Sequence, residues 1–122
     1  MLKSQAGVVL VVEDEVLIRM GIAGELEDEG FKVFQAGNAD VAILLLLREP
    51  SIDLLLTDID MPGSMDGLKL AAAVRNRWPP VKIIVVSGQF RIAEADLPLG
   101  GRFFPKPYVG ADVAAAFREM AA

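Results

Sequence analysis

The stretch LLLTDIDMPGSMDGL, residues 54–68, decides the fold. Three leucines run into Thr57 and Asp58, a second carboxylate follows at Asp60, and Met-Pro-Gly then breaks the chain. A continuous apolar run of this length reads as a strand buried on both faces, as in parallel sheets. The Pro-Gly pair reads as a sharp turn at its end. A central strand is therefore expected over IDLLLTD (52–58), one that delivers carboxylates to an edge of the sheet.

Outward from that strand, short apolar runs alternate with amphipathic segments. GVVLVVE (7–13) is a second buried strand, and FKVFQA (31–36), VKIIVVS (81–87) and GRFFP (101–105) complete five. Between them lie helical patterns. From Asp14 to about Glu29, Val16, Leu17, Met20, Ala23 and Leu26 recur at helical spacing, and Gly30 closes the helix. Asn38 caps a helix that runs to about Arg48 and is ended by Pro50. Met65–Trp78 forms another, stopped by Pro79-Pro80, and Val109–Met120 the last. Strands alternating with helices require right-handed crossovers and a parallel sheet covered on both faces. The expectation is one domain over 1–122, an α/β doubly wound five-stranded sheet of the flavodoxin-like kind, with strand order 2-1-3-4-5.

Composition narrows the chemistry. The 122 residues suit one packed core, and 53% hydrophobic with 24% charged residues is a globular balance. There is no cysteine and no histidine, which removes disulfides, thiolate or imidazole metal sites, and Ser-His or Cys-His catalysis. A phosphohistidine carried by this chain is excluded too. The net charge of −5 and scattered basic residues argue against phosphate-backbone binding. MLKSQAG lacks the apolar core of a signal peptide, and VAILLLL is too short to span a bilayer, so a cytoplasmic domain is expected.

In a doubly wound fold, ligands sit beyond the carboxyl ends of the strands. The expected strands end there on Glu13 and Asp14, on Asp58, on Ser87 and Gly88, and on Lys106. The second strand, ending Gln35-Ala36, offers nothing. Three clustered carboxylates repel one another, and desolvation worsens the repulsion. A hard divalent cation relieves it, and Mg²⁺ suits a few carboxylates with water in its remaining positions. Asp58 could then be a nucleophile for a phosphoryl group, with Mg²⁺, Lys106 and the Ser87 hydroxyl neutralising the equatorial oxygens. Each residue alone has a plain reading: a helix N-terminus for Glu13-Asp14, a turn carboxylate for Asp58, a solvated charge for Lys106. Together, at the ends of the right four strands, they form a constellation.

These residues resemble a two-component response-regulator receiver domain. The resemblance rests on VVEDE (11–15), LLTDIDMPG (55–63), VVSG (85–88) and FFPKPY (103–108), in the family's order and over essentially the whole chain. It implies that Asp58 accepts phosphate and that Asp14 and Asp58 bind Mg²⁺, with Glu13 acting through water and the Asp60 backbone carbonyl completing the protein ligands. It further implies that Lys106 pairs with the phosphoryl group, that Lys106-Pro107 is cis, and that Ser87 swings toward phosphate as Phe103 turns inward. The implied partners are a sensor histidine kinase or histidine phosphotransfer protein and an output protein, with neither nucleic acid nor membrane bound directly.

The sequence departs from the family's pattern in three places. MPGSMDG carries one extra residue, position 60 is acidic, and the span from Ser87 to Lys106 is short, with Pro98, Gly100 and Gly101. The fourth helix is therefore expected to shrink to a turn or two around RIAEADL (91–97). With no linker after AAFREMAA, a chain that is the whole gene product would be a single-domain regulator.

Two other readings use the same residues. TDID resembles the Asp-x-Asp of haloacid-dehalogenase-type phosphatases, but those place the nucleophile on the first strand and have a cap domain. A phosphorylation-independent, receiver-like interaction module would have no need to keep mutually repelling carboxylates.

Overall fold

The computed structural model describes residues 6–61, 63, 65–89 and 92–121. Five strands, β1 (Gly7–Val12), β2 (Phe31–Ala36), β3 (Leu54–Asp58), β4 (Lys82–Ser87) and β5 (Arg102–Pro105), alternate with helices. The helices are α1 (Val16–Asp28), α2 (Ala39–Arg48), α3 (Gly67–Arg77) and α4 (Gly110–Ala121). All four strand pairings are parallel, in the order β2-β1-β3-β4-β5. The expected flavodoxin-like topology is the observed one.

Alternation along the strands divides the core into two layers. On one face Leu10, Val12, Leu55, Ile83 and Val85 pack with Ala42, Leu46, Leu70 and Val74 of α2 and α3. On the other, Val9, Val11, Leu54, Leu56, Ile84 and Val86 pack with Ile22 and Leu26 of α1 and Val113 and Phe117 of α4. Every residue of β3 is buried, which is why its sequence shows no polar alternation. Each fully buried Leu or Ile contributes about 1.5–3 kcal/mol, so the central strands dominate the stability.

The helix boundaries have local causes. Asn38 caps α2 as expected, its Oδ1 accepting from the Val41 N–H at 2.9 Å. Asp66 does the same for α3 from Lys69 N–H at 2.9 Å. Gly30 stops α1 in a left-handed conformation at φ 100°.

One expectation needs adjustment. The α1 pattern identified a helix, but Val16, Leu17 and Met20 are exposed, Leu17 at 85%, and the buried residues are Ile22, Ala23 and Leu26. The first turns of α1 stand at the carboxyl rim, past the end of β1, where no sheet lies beneath them. The fourth helix is shortened as expected: among the described residues of that segment there is one 3-10 turn, Glu94–Asp96, closed by Asp96 N–H donating to the Ala93 carbonyl at 2.9 Å. Phe90 and Arg91, at the start of that segment, lie outside the described residues, as do Pro62 and Ser64 of the lengthened loop.

Candidate functional site

The carboxyl edge of the sheet carries a cleft of about 280 Å³ lined by Glu13, Asp14, Asp58, Asp60, Gly88 and Lys106 among others. Sheet register builds it. Val12 pairs with Thr57 and Asp58 with Val86, so β1, β3 and β4 end level. Ile59 N–H donates to the Val86 carbonyl and Lys106 N–H to the Ser87 carbonyl, both at 2.9 Å, which carries the pairing to the rim.

Glu13, Asp58 and Ser87 are buried, whereas Asp14 is exposed. Lys106 Nζ donates to Asp58 Oδ2 at 2.8 Å and to Glu13 Oε1 at 2.9 Å. The second oxygen of each carboxylate accepts from backbone: Asp60 N–H to Asp58 Oδ1 at 3.2 Å, Glu15 N–H to Glu13 Oε2 at 3.1 Å. Burial lifts the Glu13 carboxyl above its ordinary range, and the neighbouring Asp58 charge adds to this against the lowering by Lys106 and the Glu15 N–H. Burial works against the Lys106 ammonium, but its bonds to Asp58 and then Glu13 outweigh that and hold its pKa above the usual lysine value. Lys106 is a fixed cation here.

Carboxylate oxygens of Glu13, Asp14 and Asp58 converge within 4.8 Å of one another. Three hard oxygen donors, two buried and one open to solvent, are the donor set Mg²⁺ takes, with room for water on the exposed side. The residues present therefore fit the expected cation. The Lys106-Pro107 peptide is cis.

Ser87 Oγ donates to Asp60 Oδ2 at 3.0 Å and accepts from Gln89 N–H at 3.1 Å. Phe103 of β5 pairs with Val85 of β4 and packs half-buried against the α2–α3 layer, the face of β4 to which Ser87 also belongs by alternation.

Three supporting residues escaped the sequence reading. Arg19 of α1 donates to the Glu13 carbonyl at 2.8 Å and to Gln35 Oε1 at 3.4 Å, tying the β1–α1 turn to the end of β2. On a helix surface an arginine gives no such signal. Buried Thr57 donates to the Asp58 carbonyl at 3.1 Å. Gly67 opens α3 so close to the Asp58 carbonyl and Ile59 that a Cβ would overlap them. Beside the cleft, Leu17, Ile18, Ile22, Pro107 and Tyr108 line an apolar groove of about 470 Å³. Burial raises the Tyr108 phenol to about 12 despite the opposing Lys106 charge.

A sequence model of the response regulator receiver domain matches residues 9–100. The chain belongs to this family. Lys106 lies beyond the matched span and joins the cleft through its own contacts. The sensor kinase CckA of Brucella abortus is 35% identical over 96% of this chain and 13% of its own length. A receiver domain structure from Clostridium thermocellum shares the fold at TM-score 0.85 and 24% identity, covering 93% of each chain. The response regulator TrrA of Thermotoga maritima, solved with Mg²⁺ and BeF, gives TM-score 0.81 at 27% identity, over 93% of this chain and 98% of that one. The chain spans between 13% and 19% of the length of the curated relatives it matches. Receiver domains are signalling modules of two-component systems, and this receiver carries an acidic cluster that fits their Mg²⁺ site. No helix among the described residues is long and apolar enough to cross a membrane.

Proposed function

We propose that this chain, as one receiver unit over 1–122, takes a phosphoryl group onto Asp58 from a phosphohistidine on a partner protein. The observation that carries the reading is a buried Asp58 held between a fixed ammonium at 2.8 Å and two further carboxylates. An Asp58 oxygen attacks phosphorus, the P–N bond to the partner's imidazole breaks, and the imidazole leaves with its electron pair. The product is an acyl phosphate on Asp58.

Asp14 and Asp58, with Glu13 through water and the Asp60 carbonyl, would hold Mg²⁺. That ion supplies charge neutralisation at the transferring oxygens. Lys106 exchanges part of its bond to Asp58 for one to the phosphoryl group, and Ser87 donates to another oxygen. The reoriented Ser87 lets Phe103, on the same sheet face, move inward and alter the surface presented to an output protein. The donor is a sensor histidine kinase or a histidine phosphotransfer protein, in the cytoplasm. Phosphorylation and its reversal are self-catalysed events on one aspartate, with no external product turned over.

Intact mass after incubation with acetyl phosphate and Mg²⁺ tests this. A phosphate-sized gain is expected that needs Mg²⁺ and is absent from Asp58→Asn. No gain from acetyl phosphate or from a phosphohistidine donor would favour a phosphorylation-independent interaction module.

A further inference from the structure

The acidic side chain two residues after Asp58 has no part in the scheme above, which uses only its backbone carbonyl. Yet Asp60 Oδ2 is where the buried Ser87 hydroxyl sends its proton, at 3.0 Å. A serine hydroxyl has one O–H to donate, so a bond to Asp60 and a bond to a phosphoryl oxygen on Asp58 exclude each other. The bond to Asp60 is charge-assisted and stronger than one to a neutral acceptor. Ser87 Oγ also accepts from Gln89 N–H at 3.1 Å, which orients the hydroxyl from the other side. The Asp60 backbone is tied to the site as well, its N–H donating to Asp58 Oδ1 at 3.2 Å.

We propose that the Asp60 carboxylate is a latch: it holds Ser87 in the unphosphorylated arrangement and must surrender it before the phosphoryl group is stabilised. This rests on Asp58 being the phosphoacceptor. Asp60 is a positioning residue acting through Ser87. Because Asp60 is only half-buried, water can replace Ser87 on its carboxylate when the latch opens. The latch therefore raises the threshold for activation without blocking it.

The experiment is a double-mutant cycle on the affinity for beryllofluoride in saturating Mg²⁺, followed by calorimetry and by ¹⁹F resonances of the bound ligand. Asp60→Ala keeps the backbone carbonyl and removes the latch, and is expected to bind about tenfold tighter, with Asp60→Asn between it and wild type. The gain is expected to vanish in a Ser87→Ala background and to return with Ser87→Thr, which restores a hydroxyl. An equal gain in the Ser87→Ala background would overturn the latch, because Asp60 would then act as a bare negative charge near the phosphoryl group. So would unchanged or weaker binding by both Asp60 variants while wild type binds. If wild type itself binds no beryllofluoride with Mg²⁺, the phosphoacceptor reading fails first and the latch falls with it.

Discussion

At the scale of single residues, Lys106 carries the largest electrostatic consequence. Its ammonium is the cation that two buried carboxylates share, with 23% of its side chain exposed against 5% for Glu13 and 3% for Asp58. Removing one partner of such a cluster leaves charge buried without compensation, and this costs far more than the intact pair contributes. Lys106→Met is therefore expected to lower stability by about 2–3 kcal/mol in the presence of a chelator, discounted from a fully buried pair for residual exposure. The same substitution frees Asp58 Oδ2 and Glu13 Oε1 for a metal. Mg²⁺ should then bind more tightly than to wild type and recover much of the loss. Thermal melts with EDTA and across a Mg²⁺ series check both halves. A variant that melts like wild type in EDTA, or gains no more than wild type from Mg²⁺, would mean that Lys106 and the metal do not compete for these oxygens.

At the scale of elements, the site depends on how closely α3 approaches the end of β3. Gly67 N–H donates to the Ile59 carbonyl at 3.1 Å, and its missing Cβ is what lets the helix start against the Asp58 backbone. Gly67→Ala must push α3 or the β3 terminus away, so a loss of about 1–3 kcal/mol is expected, read from urea unfolding. Phosphorylation should slow as well, since the strain falls on the Asp58 carbonyl. The strands were legible because buried parallel strands show continuous apolar runs, and β3 and β4 begin within two residues of the expected starts. The caps were legible where side-chain chemistry sets them, as at Asn38. Periodicity could not tell which apolar residues of α1 meet the sheet, because Val16, Leu17 and Met20 fit the helical spacing as well as Ile22 does. That choice is made by where β1 ends, a property of tertiary packing. The site's acids and Lys106 were readable from strand ends. Arg19 and the Ser87–Asp60 bond were not, since each joins elements that only the folded register brings level.

At the scale of the whole molecule, the proposed phosphotransfer requires a partner protein to reach the site, and the exposed part of α1 lies beside it. Val16, Leu17 and Met20 are more than half exposed, and the groove from Leu17 to Tyr108 opens beside the cleft that holds Asp58. If Asp58 is the phosphoacceptor proposed above, these apolar residues at the rim are the expected seat for a phosphohistidine protein whose imidazole reaches in. Small donors need no such surface. Leu17→Asp combined with Met20→Asp adds charge where a partner would have to desolvate it, and at these exposed positions should change stability by only about 0.5 kcal/mol. Phosphoryl transfer from a histidine phosphotransfer protein or kinase is expected to slow roughly 10-fold or more, from lost apolar contact and added charge. Uptake from acetyl phosphate should fall far less. Comparing the two rates in one preparation separates docking from chemistry. A parallel fall in both would place the effect in the β1–α1 turn and its hold on Glu13, and a fall in neither would move the donor's seat to another face of the fold.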